Sequence, residues 1–160
     1  MMYTLTEFIN ENKKILVYHG TYYKFDNFNT IRKINGFGYS MGTYFSDNIK
    51  EAERYGNIIN SYNIKFDKLL DLSFIPENDN TGKEQFFNYM KNKLNIHFKN
   101  EKLMIYSNPY FGYTTLESLD RHFNLVPKLK LKSIDGISFN EGNGITYVVF
   151  NNNQVKKIIN

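Results

Sequence analysis

The sequence predicts an α+β domain. Two observations carry this. Short β-prone apolar runs and short amphipathic stretches occur in both halves of the 160 residues, and they lack the regular alternation that builds a doubly wound parallel sheet.

The elements follow in order. Thr4-Leu5-Thr6-Glu7 has capping-box spacing, which predicts a first short helix burying Leu5, Phe8 and Ile9. Ile15–Tyr18 reads as a strand stopped by His19-Gly20-Thr21, and 22–40 as a long loop anchored by Phe25 and Phe28, with Gly36 and Gly38 as flexible points. Thr43-Tyr44-Phe45 is a second strand, and Asp47 is placed to cap a helix that stops near Gly56. Residues 58–72 read as strands, with Tyr62, Ile64 and Phe66 alternating and a turn at Asp67-Lys68. After a polar loop over 77–83, Phe86, Phe87, Met90 and Leu94 share a helical face. Thr114-Thr115-Leu116-Glu117 predicts another capped helix, through Phe123. Residues 134–139, 145–150 and 155–159 close the chain as strands, the first pair joined by a tight hairpin over Glu141–Gly144. Without repeat or linker, 1–160 is expected to form a single domain.

Composition excludes several chemistries. There is no cysteine, so disulfide frameworks, thiolate metal sites and cysteine nucleophiles are out. His19, His97 and His122 are the only histidines, and no cluster has metal-ligand spacing, so no metal is expected. Phosphate-loop and serine-elbow motifs are absent. The net charge of +4 comes from scattered lysines and does not announce a nucleic-acid binder. With 23 Asn and one Ala, the chain must build its core from Ile, Leu, Phe and Tyr, so most of its 27 aromatics are core material. No basic leader and no apolar run of membrane-spanning length is present, which predicts a soluble, cytoplasmic protein, or one delivered into a target cell.

His19 stands apart from the other histidines. It ends a strand, and the Gly20 and Thr21 that follow offer backbone groups and a hydroxyl suited to a carboxamide and ribose hydroxyls. Three segments then recur in order: His19-Gly20-Thr21; Gly42-Thr43-Tyr44-Phe45-Ser46-Asp47 with a helix carrying Tyr55; and Ile145–Phe150 followed by Gln154-Val155, preceded by Asp135-Gly136-Ile137. Together they resemble the His–Tyr–Glu branch of the ADP-ribosyltransferases, that of the poly(ADP-ribose) polymerase catalytic domains, and particularly its small phage and bacterial members. Residues 67–130 match nothing in that pattern and read as a family-variable insertion.

The resemblance implies split antiparallel sheets with short flanking helices around a cleft for NAD, which is the substrate. It implies that His19 bonds a ribose hydroxyl, that Gly20 pairs with the nicotinamide carboxamide and that Thr21 supports the pocket. Tyr44 and Tyr55 would flank the ring, and Ala52 stands where many relatives carry a carboxamide-bonding Ser. Thr146 occupies the position of the branch's catalytic Glu, so it brings a hydroxyl where a carboxylate stabilises an oxocarbenium-like transition state. Glu141, in the neighbouring hairpin, is the candidate to supply that charge.

The implied function is mono-ADP-ribosylation of a macromolecular acceptor, a host or target protein, in the manner of a toxin, phage effector or counter-defence factor. The alternatives are hydrolysis of NAD, an inactive NAD-binding or protein-interaction module on the same fold, and a small basic nucleic-acid-binding domain. No membrane partner is implied.

Overall fold

The computed structural model describes residues 8–25, 33–35, 38–76, 79–99 and 111–159, with backbone alone at 33–35, 38–40 and 80. It is a mixed α+β fold built on strands. β1 (Ile9–Thr21), β4 (Thr43–Ser46), β5 (Ile58–Asp71), β6 (Gly136–Glu141) and β7 (Gly144–Val149) hydrogen-bond in the order β1-β4-β7-β6-β5, and β5 pairs again with β1. The five strands therefore close on themselves. β8 (Val155–Lys157) attaches to β5 outside the ring, and β2 (Lys33–Asn35) and β3 (Gly38–Ser40) form a separate hairpin.

This closure corrects the expectation of split antiparallel sheets. β1 and β5, of 13 and 14 residues, pair from Ile9↔Leu70 to Thr21↔Ile58. Strands that long accumulate enough twist to bring the far edge of β1 round to β4. The β5–β6 contact is also parallel, Leu69↔Gly136 to Asp71↔Ser138, where an all-antiparallel arrangement was expected. No turn interrupts β5 at 67–68. There the edge not paired to β1 lies between the reach of β8 and β6, and the Asp135 carboxylate accepts from the backbone N–H groups of Asp67 (2.9 Å) and Lys68 (3.1 Å) instead.

One face of the strands fills the ring. Phe45 of β4 meets Tyr62 of β5 edge-on at 5.4 Å, and Phe66 of β5 stacks on Tyr147 of β7 at 6.2 Å. Neither pair joins neighbouring strands, so both span the interior, together with Val17, Ile64 and Val149. The opposite face of β6 and β7 buries Ile137, Phe139 and Val148 under a helical layer: α2 (Asn80–Asn92), α3 (Tyr113–Phe123) and α4 (Leu125–Lys130). Phe86, Phe87 and Met90 of α2 and Leu116 and Leu119 of α3 are fully buried there, as their helical spacing predicts. No helix among the described residues is long and apolar enough to cross a membrane.

Several local expectations shift. Residues 4–7 of the first capping box, with 26–32 and 36–37 of the 22–40 loop (Phe28 and Gly36 among them), lie outside the described residues, and the β2–β3 hairpin occupies part of what was expected to be loop. Ile9 opens β1 rather than riding a helix, while Phe8 is buried and stacks on Tyr89 at 4.9 Å. α1 is short (Ile49–Glu53) and its cap is Asn48, whose side chain accepts from Lys50 N at 2.9 Å. Asp47 is drawn away to β7, where its carboxylate accepts from Ile145 N at 2.8 Å. α2 begins inside the expected polar loop because Asp79 caps it, accepting from Gly82 N at 3.1 Å. α3 starts at Tyr113 behind Gly112, with no side-chain cap, so Thr114–Glu117 forms no capping box. α4 was not expected; left-handed Asn124 (φ 56°) turns the chain into it, and buried Asp120 accepts from Val126 N at 2.8 Å.

Candidate functional site

Toward β4, β1 is joined at a single register pair, Tyr18↔Ser46. Beyond it the strands part, and the His19 ring fills the gap, with Nδ1 2.8 Å from the carbonyl oxygen of Tyr44. A carbonyl can only accept, so Nδ1 carries the proton and Nε2 of the neutral ring is an acceptor. Burial lowers the affinity of His19 for a second proton, against a smaller opposing effect of the Tyr44 carbonyl. Phe45 at 5.5 Å and Phe25, edge-on at 5.8 Å, bracket the imidazole.

A cavity of about 560 Å³ opens at this seam, within the range of small-molecule sites. His19, Gly20, Tyr44, Ala52, Tyr55, Glu141 and Thr146 all line it, so seven of the eight residues singled out in the sequence converge there. Thr21 is not among its lining residues; its hydroxyl is engaged in a local turn with the backbone of Tyr23. Gly20 has a packing reason beyond ligand access. A Cβ there would stand 1.9 Å from the carbonyl oxygen of Ala52, so only glycine lets α1 lie against the end of β1.

The 141–144 hairpin turns its carboxylate into the cavity. Glu141 pairs with Gly144 and Phe139 with Thr146, so Glu141 and Thr146 are diagonal neighbours on one face of the β6–β7 ladder. Thr146 Oγ1 donates to Glu141 Oε2 at 2.6 Å, and the Tyr55 hydroxyl donates to Oε1 at 2.8 Å. Thr146 is 6% exposed. Burial, then the bond to Glu141, pushes the Tyr55 hydroxyl up to about 12, so it remains a donor at neutral pH. A carboxylate thus stands beside the position of Thr146, delivered from the adjacent strand.

Three contributors were missed in the sequence. Glu51 of α1 accepts from Asn143 N at 3.1 Å and from Arg54 at 2.8 Å, which pins the turn that carries Glu141. First the Asn143 N–H and then Arg54 hold its carboxyl below the usual range. A Cβ on Gly142 (φ 57°) would meet the Glu51 carboxylate at 2.6 Å, so this turn takes glycine for both conformation and space. Tyr113 lines the cavity from α3, its ring edge-on to Tyr44 at 5.9 Å, and Glu117 lies behind the pair. Their i, i+4 spacing was legible; what they face was not. Among the described residues no group of three or more His, Cys, Asp or Glu is arranged to hold a metal ion. A larger, more open groove of about 880 Å³, lined in part by Asp47, Asn48 and Gly142–Ile145, runs along the hairpin.

A family model described as "ADP-Ribosyltransferase in polyvalent proteins" matches residues 10–160. No curated protein matches the chain. A solved structure described as "Crystal structure of an anti-CRISPR protein" is similar at 14% identity with a TM-score of 0.45, over 91% of this chain and 96% of that one.

Proposed function

We propose, from the premise that this chain belongs to the family of ADP-ribosyltransferases in polyvalent proteins, that it cleaves NAD at the nicotinamide–ribose bond and transfers a single ADP-ribose to a macromolecular acceptor. The observation that carries this reading is the Glu141 carboxylate, held by Thr146 and Tyr55 in the same cavity as His19 and Tyr44. The acceptor is a host or target protein.

Each residue has a role that its surroundings support. Neutral His19, its Nδ1 proton spent on the Tyr44 carbonyl, presents Nε2 as acceptor to a ribose hydroxyl. Tyr44 and Tyr55 supply aromatic surface for the positively charged nicotinamide ring. As the C1′–N bond breaks, its electron pair passes to the ring, which leaves neutral, and positive charge appears on the ribose. A fixed carboxylate at Glu141 stabilises that charge without reorganising. The acceptor atom then bonds C1′, with inversion, and releases its proton to solvent. Thr146 takes the role of holding Glu141, and its hydroxyl, which brings no negative charge of its own, favours single transfer over polymer synthesis.

The test is incubation with NAD labelled in its adenylate half, together with cell lysate. Labelled macromolecule and equimolar free nicotinamide are the expected products. Free ADP-ribose alone would identify a hydrolase. Binding of NAD without nicotinamide release would identify a non-catalytic module, and absence of binding would overturn the NAD reading.

A further inference from the structure

Beside the cavity stands a carboxyl group that the chemistry above does not use. Oε1 of Glu117 is buried without a hydrogen-bond partner among the described residues. The other two acids near the cavity are satisfied, Glu51 by Asn143 N and Arg54, and Glu141 by Tyr55 and Thr146. Glu117 stands one helical turn along α3 from Tyr113, the Tyr113 and Tyr44 hydroxyls act on its carboxyl, and both tyrosine rings line the cavity. No Lys or Arg is among its lining residues. An acidic group therefore sits directly behind two aromatic rings, with nothing positive in front of them.

Resting on the NAD reading, we infer that Glu117 is a positioning residue that makes the Tyr44–Tyr113 wall selective for a positively charged aromatic ring, favouring the nicotinamide of NAD over neutral free nicotinamide. Two effects act together. A tyrosine hydroxyl turned toward a carboxylate enriches its ring in electrons, and an electron-rich ring attracts a cation more strongly. The carboxylate also acts on the cation directly, past the rings that line the cavity. The neutral product gains neither, so the same device aids release of nicotinamide.

The consequence is linkage. Burial raises Glu117 above the ordinary carboxyl value of 4.5; Tyr113, Arg121 and Tyr44 oppose this, and Glu141 adds to it. Those groups reach it from α3, from β4 and from β6. A cationic ligand favours the charged form, so NAD affinity climbs as pH rises through the ionisation of Glu117, while nicotinamide affinity stays flat.

The experiment is calorimetric titration of the whole chain with NAD and, separately, with nicotinamide, from about pH 5 to about pH 8. Wild type is expected to bind NAD roughly three- to tenfold more tightly at the upper end, with no such trend for nicotinamide. Glu117→Gln, which keeps the shape, is expected to leave only the part of the NAD trend below pH 6.5 that His19 contributes, with an unchanged melting temperature. Should that variant fail to fold, Tyr113→Phe provides the second arm, with an expected weaker trend. A trend in Glu117→Gln or Tyr113→Phe as steep as that of wild type, or one that nicotinamide shares, overturns the inference while leaving NAD binding intact. Absence of NAD binding by wild type at every pH overturns the NAD reading, and the inference with it.

Discussion

The two edges of β1 are zipped very differently. Toward β5 it makes twelve register pairs, from Ile9↔Leu70 to Thr21↔Ile58, and toward β4 a single one, Tyr18↔Ser46. The first edge is a continuous wall whose start is tied by a buried carboxylate. Asp71, 2% exposed, accepts from Ser138 (2.7 Å), Ser73 (2.5 Å), Asn10 (2.6 Å) and Lys13 (3.1 Å), joining β1, β5 and β6. At the second edge a histidine side chain, rather than a ladder, connects the strands, and the cavity opens where the ladder stops. Division of labour follows: one seam of the ring supplies rigidity, and the other holds its chemistry in a gap a few residues wide.

The largest expected effect lies on the zipped edge. Asp71→Ala leaves Lys13, Ser73 and Ser138 without their common acceptor, and losing one partner of a buried charged network costs about 3–5 kcal/mol. Urea unfolding is the measurement. Folded Asp71→Ala protein should still bind NAD, since Asp71 does not line the cavity; a stability change below about 1 kcal/mol would mean that this knot does not hold the ring. The open edge should respond oppositely. Glu141→Gln keeps the size of the side chain and removes its charge, so nicotinamide release should fall by roughly 10²–10³-fold with little change in melting temperature. A variant with near wild-type turnover would remove Glu141 from the mechanism and shift attention to Thr146 alone.

The open edge was more legible in the sequence than the zipped one. Gly42–Asp47 and His19-Gly20 are local patterns, and short local patterns are what a sequence displays. Even the orientation of Glu141 was readable. A two-residue turn pairs Glu141 with Gly144, and strand parity then puts it on the face of Thr146. Ring closure was hidden because it depends on how far β5 runs. That depends in turn on Asp135, distant in sequence, capping the edge at Asp67 and Lys68 where a turn was expected. Helix α3 shows the same limit. The Thr114–Glu117 spacing marked a helix start, yet Tyr113 lines the cavity with Glu117 one turn behind it, a use that only tertiary packing reveals. Tertiary context overrode the expected local signal at β5 and α3, whereas α2 moved because Asp79 caps it locally.

The smallest expected effect concerns the protonation state at the open edge. His19 is half-buried, and desolvation lowers its value below the ordinary 6.5 despite the Tyr44 carbonyl. Its neutral form is the one that offers Nε2 to a ribose hydroxyl. Activity depending on that form should therefore hold as pH falls to 6.5, and decline only below it, as the ring takes its second proton. The unfolded chain accepts that proton more readily than the native one, so the same ionisation withdraws stability as pH drops below the unfolded value. Turnover and stability should thus weaken together on the acid side. His19→Gln, which keeps an acceptor but cannot take the proton, should flatten this component of the stability profile; an acid limb of kcat/KM that starts above pH 6.5 in wild type would show that the ring is more open to water than its place between Phe25 and Phe45 implies.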